Sequence, residues 1–270
     1  MRRWCTAVVS AGLAATLVAG CGGGGFEKKA DVACAKAADA RAAALEARPT
    51  IYGKANPSLA AASVAAVKQE LDRLSALKPP SAKRGVFEQY LKNRRDALAA
   101  ERRGAAIERQ LTNPKAVAKL KTATASVGSQ RVLLRQLGFA LGSKLGLKDC
   151  AGRGGSTRDS DQMKQVNRIL QTTNSRSNCS KYMTRAYVIL EYDNLASCMK
   201  QISSPQGLGK PPAYPQRAQI VGSTGILFAD YRPGTGAPGT PPGRWTFYFY
   251  KQGGKWKVQG QRLPAQGPAG

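Results

Sequence analysis

The sequence predicts a helical domain followed by an α+β domain: a disulfide-closed four-helix bundle, then a unit built on a curled antiparallel sheet. Three observations carry this. Residues 27–150 read as alanine-rich helix interrupted at proline-bearing junctions, and residues from 217 onward switch to the two-residue alternation of strands. A Gly/Ser stretch at 151–157 separates the two compositions and marks a linker over 151–159. Hydrophobic residues make up 42% of 270 positions, enough to bury a core, and aromatics at 7% make it a lean one.

In the helical part, the alanine-dense segment 28–48 stops at Pro49, which cannot continue a helix. Asn56-Pro57-Ser58 restarts it, with asparagine as the cap and proline at the first helical position. The next segment sets Val64, Val67, Leu71, Leu74 and Leu77 along one face. Pro79-Pro80-Ser81 breaks and recaps the chain ahead of a third helix at about 83–111, carrying Phe87, Leu91, Leu98, Ile107 and Leu111. After the Asn113-Pro114 cap, a fourth runs through Val117, Leu120, Val127, Leu134, Leu137 and Leu141. Four helices with short connections imply an up-down-up-down arrangement, whose first and last ends lie together.

The beginning of the chain gives an address. Arg2 and Arg3 precede an uncharged apolar run at 6–18, shorter than the about 20 residues of a membrane span and suited to a secretory signal. Leu17-Val18-Ala19-Gly20-Cys21 resembles the bacterial lipobox. That resemblance implies cleavage of a signal peptide at 1–20, a diacylglycerol thioether on Cys21, and anchoring to the outer face of the cell membrane. An ordinary signal with an incidental cysteine is the alternative. Gly22 to Gly25 then read as a flexible tether within 21–26.

Four of the six cysteines remain beyond the anchor: Cys34, Cys150, Cys179 and Cys198. An even set in an exported chain implies two disulfides, for which three connectivities exist. The sequence separations favour Cys34–Cys150 and Cys179–Cys198, each closing its own domain, with free buried thiols as the alternative. No CxxC spacing supports a metal ribbon or a redox motif.

In the second part, 160–173 is a helix with Met163, Val166, Ile169 and Leu170 on one side, and 178–192 and 195–202 are shorter helices. Strands follow at 217–222, 225–231, 244–252 and 255–261. Trp245, Phe247 and Phe249 alternate with Thr246, Tyr248 and Tyr250, and Gly253-Gly254 forms a tight hairpin. A Pro/Gly-rich loop at 233–242 and a disordered tail at 263–270 are expected.

The segment Cys179-Ser180-Lys181-Tyr182-Met183-Thr184 and the closing Phe247-Tyr248-Phe249-Tyr250-Lys251-Gln252-Gly253-Gly254-Lys255-Trp256-Lys257-Val258 resemble the nuclear-transport-factor-2-like fold, over about 160–262. The whole chain is similar to actinobacterial-type secreted lipoproteins, in which a helical module closed by a motif such as Leu145-Gly146-Leu147-Lys148-Asp149-Cys150 precedes such a cone-shaped domain. Neither resemblance carries an activity with it. It does place a candidate ligand pocket at the cone's mouth, lined by Trp245, Phe247, Phe249 and Trp256, with Asp230 among them. The same aromatic face would otherwise pack against the helices.

The absence of histidine removes Ser-His-Asp and Cys-His catalysis and the commoner zinc sites, so no catalytic residue, metal or cofactor is assigned. Lys+Arg 42 against Asp+Glu 16 gives a formal charge of +26, of which the signal removes only Arg2 and Arg3. Outside the cell this surplus points to anionic phospholipids or acidic wall polymers rather than nucleic acid. Lys92-Asn93-Arg94-Arg95 and Arg102-Arg103 supply basic runs on the third helix, opposite its core face. The leading expectation is a non-enzymatic envelope lipoprotein that binds a small molecule or a protein partner. One alternative is a cone-fold isomerase or dehydratase using Asp230 or Glu191 with Tyr187. The other is an electrostatic tether to acidic wall polymers.

Overall fold

The computed structural model describes residues 23–49, 54–173, 175–202, 213–231 and 243–262. The expected signal peptide at 1–20, Cys21, the expected loop at 233–242 and the expected tail at 263–270 lie outside the described residues.

Four long helices come first: α1 (Gly23–Ala47), α2 (Pro57–Ser75), α3 (Arg84–Gln110) and α4 (Val117–Lys144), each packed along the next. Asn56 caps α2 by accepting the Leu59 N–H at 3.0 Å, with Pro57 at the first position. Helix α1 begins in the glycines expected to be a tether. Phe26 explains this: it is buried edge-on against Phe87, ring centroids 5.0 Å apart, and its seating offsets the helix cost of about 1 kcal/mol per glycine.

Helix α4 packs along α3 and meets α1 mainly through the 3₁₀ turn Asp149–Ala151 that follows it. A disulfide joins Cys34 to Cys150 at this point, with Cα atoms 5.3 Å apart. The apolar stripe of α4 is therefore wider than the surface covering it, and Val117 and Leu137, both expected in the core, are exposed.

The second half holds α5 (Thr157–Thr172), α6 (Asn178–Lys181), α7 (Arg185–Tyr192) and α8 (Leu195–Ile202). It ends in β1 (Ala213–Val221), β2 (Thr224–Tyr231), β3 (Gly243–Gln252) and β4 (Lys255–Arg262). The strands form an antiparallel meander in chain order. Strand β1 begins four residues before its alternation becomes legible, because the register shifts between Pro215 and Arg217. A second disulfide, Cys179–Cys198, ties α6 to α8. The molecule is thus a mixed α+β protein with two disulfides.

One sheet face is filled. Leu227, Trp245, Phe247, Phe249, Trp256 and Val258 pack against Met163, Val166, Met183, Tyr187 and Val188. The expected linker is also held firmly. Gly154 N–H donates to the Ile220 carbonyl at 2.9 Å and Ile220 N–H to that of Gly152 at 2.8 Å. Gly152 has φ +69°, and a Cβ on Gly155 would collide with Ile220, so both positions need glycine.

Helix α1 fastens the halves together through its carboxylates. Asp39 accepts the Ser223 N–H at 2.7 Å, and Glu46 accepts the N–H groups of Arg185 and Ala186 at the start of α7. Asp31 accepts those of Lys148 and Cys150.

Candidate functional site

The other sheet face looks toward the open side of the four helices, and between them lies a cavity of about 440 Å³. Ligand sites usually fall at roughly 300–1,000 Å³. Its sheet wall follows from the pleat: with Leu227 and Phe247 turned to the core, their neighbours Ile226 and Tyr248 turn the other way. Gln219, Ile226 and Tyr248 are cross-strand partners and form one row. In β4 the pairing passes from Val258 to Gly260, leaving Gln259 as an extra residue. The bulge aims Gln259 at α1, where Nε2 donates to the Ala42 carbonyl at 2.9 Å.

Each long helix contributes one face. Positions 34, 38, 41 and 45 of α1, 59, 63, 67 and 70 of α2, 90, 94, 97 and 101 of α3, and 131, 135 and 138 of α4 line the space at helical spacing. Such positions are ordinarily apolar. Here six of them carry charge: Arg41, Glu70, Arg94, Glu101, Arg131 and Arg135.

Four of the six are paired. Arg94 Nη2 donates to Glu70 Oε2 at 2.8 Å, with both residues buried. Burial works against the Arg94 charge, but Glu70, Tyr90 and Glu101 together more than offset it, and the Arg94 pKa is raised. Arg131 pairs with Glu101 at 2.7 Å, its guanidinium passing over Gly104 where a Cβ would block it. The Nε donors of Arg94 and Arg131 are nevertheless buried without a partner. Arg41 has its pKa lowered by burial, and the nearby Arg94 and Arg135 charges lower it further while Glu70 and Glu101 oppose them. Beneath this cluster, the Tyr90 hydroxyl sits 3.3 Å from Cys34 Sγ and donates, since the sulfur is in a disulfide. Burial pushes the phenol well above its usual range.

No family model, curated protein or solved structure matches the chain. The geometry alone must therefore say what the site does. It is a partly open, largely apolar space with fixed charges, and among the described residues no group of three His, Cys, Asp or Glu is placed to hold a metal.

The residues expected together at a cone mouth are dispersed over different surroundings. Trp245 and Phe247 stack in the filled core with centroids 6.2 Å apart and border neither depression found in the described residues. Phe249 is in the same core and backs the cavity wall. Trp256 donates from Nε1 to Asp159 Oδ1 at 3.0 Å, and Lys251 Nζ reaches the same oxygen at 2.7 Å. Its ring also borders a second depression, with Gln162, Val166 and Tyr182.

Asp230 is partly exposed and paired with Arg244 at 3.1 Å. Glu191 is exposed on α7, although partial desolvation of its carboxyl raises its pKa against a hydrogen bond from Gln261. Tyr187 is buried edge-on to Tyr192. None of these three borders the cavity.

The charged cluster was missed from sequence, where Arg94 was read as part of a solvated basic run. The structure buries it at 8% exposure. The signal was the register: Arg94 follows Phe87 by seven residues, which returns it to the same helix face.

Proposed function

We propose that this chain is a lipid-anchored bacterial envelope protein that holds a small molecule, without transforming it, in the cavity between its helices and its sheet. The observation that carries the proposal is that cavity, to which both halves contribute walls. The lipobox ending at Cys21 supports the anchor, and two disulfides are compatible with an extracytoplasmic location. The helical half is a four-helix bundle left open along one side. The sheet half is a nuclear-transport-factor-2-like cone that binds with the outer face of its sheet, because aromatic side chains fill the inner one.

The acids that line the cavity are engaged in structure: Glu70 and Glu101 pair with Arg94 and Arg131, and Asp149 accepts the Gly222 N–H. This supports holding over turnover. Native mass spectrometry of the full chain extracted from membranes tests both parts at once. The expected spectrum shows a chain starting at a diacylated Cys21 and a further small mass that leaves on denaturation. An unacylated chain would overturn the anchor, and a chain carrying no extra mass would overturn the binding role.

A further inference from the structure

Resting on that binding role, the charges in the cavity define the class of molecule it holds. Four guanidinium groups converge on one small volume, and two of them make no direct ion pair among the described residues. Arg94 and Arg131 are paired with Glu70 and Glu101. Arg41 of α1 and Arg135 of α4 also line the cavity, but neither forms a hydrogen bond or ion pair among the described residues. The one other acid at the wall, Asp149, accepts the Gly222 N–H at Oδ1 (2.7 Å) and pairs with neither arginine. The buried Nε groups of Arg94, itself more than nine-tenths buried, and of Arg131 are donors still without an acceptor.

A buried donor left without an acceptor is costly, and an anion set among these guanidinium groups offsets that cost. The planar fork of Arg also suits carboxylate and phosphate oxygens in a way that lysine does not. The rest of the lining is of the opposite character, with Val67, Val132, Phe139 and Ile226 presenting apolar surface. An inorganic anion would leave that surface against water, whereas an uncharged apolar molecule would leave the arginines unmet.

We infer that the cavity takes an amphipathic organic anion, with one carboxylate or phosphate group held by Arg41 and Arg135 and an apolar body against Val67, Val132, Phe139 and Ile226. The volume of about 440 Å³ accommodates a bicyclic aromatic body.

The test is calorimetric titration of the full chain in lipid nanodiscs, with empty nanodiscs as reference. The probes are 1-naphthoate, 1-naphthyl phosphate, their neutral counterpart 1-naphthamide, and inorganic phosphate. At least one naphthyl anion should bind about tenfold or more tighter than 1-naphthamide and than phosphate alone, and which of the two does so identifies the head group. Arg41→Gln and Arg135→Gln should each weaken that anion about tenfold with little effect on the amide, while the surface variant Arg244→Gln should change nothing. If 1-naphthamide binds the unaltered chain as well as the anions do, the cavity is a ligand site and the anionic class is wrong. If no naphthyl probe of either charge binds, the binding role falls with it. The probe comparison needs no variant, so an unfolded substitution cannot blur the result.

Discussion

The two faces of the sheet are built from the same four strands and meet opposite environments. Toward α5–α8 the described pleat positions are packed with aromatic and aliphatic side chains, with Leu227 and Val258 almost wholly buried. Toward α1–α4 the sheet meets alanine-rich helices that bury the Arg94–Glu70 pair and border empty volume. The filled face is a hydrophobic core of the molecule, as is the cluster around Phe26 and Phe87 in the helical half. The other face keeps polar groups and space that a folding core does without, and that is the mark of a site.

Three comparisons of variants would break or sharpen this contrast. Phe247→Ala removes a side chain from the filled face and should cost about 3–5 kcal/mol, whereas Val132→Ala at the cavity wall should cost under about 1 kcal/mol, because its surroundings are already open. Urea midpoints compare them, and equal losses would erase the distinction between the faces.

Next, Glu70→Gln leaves Arg94 buried without its counter-charge and should cost about 1–3 kcal/mol, while the double replacement Glu70→Leu with Arg94→Met should restore or exceed the original stability. Restoration would show that the pair is retained for something other than stability.

The smallest effect is a pH dependence of opposite sign on the two faces. The Lys251 ammonium, with Ser156 and Trp256, holds the Asp159 carboxyl well below its ordinary 3.8. Its contribution is present above that value and lost as pH falls below it. Burial raises the Asp39 carboxyl, with the Ser223 N–H opposing, so ionised Asp39 costs stability as pH rises past its ordinary 3.8. Unfolding followed between about pH 5 and pH 3 should show an acid loss that Asp159→Asn flattens and Asp39→Asn steepens.

Much of the frame was legible in the sequence. Proline and capping residues placed the breaks between α1 and α4, and the alternation through Trp245, Phe247 and Phe249 placed β3. The disulfide partners followed from two separations, 116 and 19 residues, that each close a local unit. What alternation does not reveal is which sheet face has a cover. Both have one here, so the aromatic row forms core and the neighbouring row with Ile226 and Tyr248 forms the cavity wall. The charged cluster was hidden for a different reason. Arg94 stands beside Arg95 in a basic run, and only its sevenfold offset from Phe87 distinguishes the buried arginine from the exposed one. Gly23–Gly25 mislead similarly, since their composition says flexible and Phe26 makes them helix.

The order of the cysteines has a consequence for how the molecule is made. Among the described residues, Cys34 is bonded to the next cysteine in the chain, Cys150, and Cys179 to the next, Cys198. A chain that emerges amino end first thus presents each thiol with its final partner as the first one to arrive, and no bond must be broken and remade by slow thiol exchange. In a chain that folds as it emerges, Cys34–Cys150 closes the helical half before the strand residues 213–262 arrive, and the cavity wall that they form is completed last.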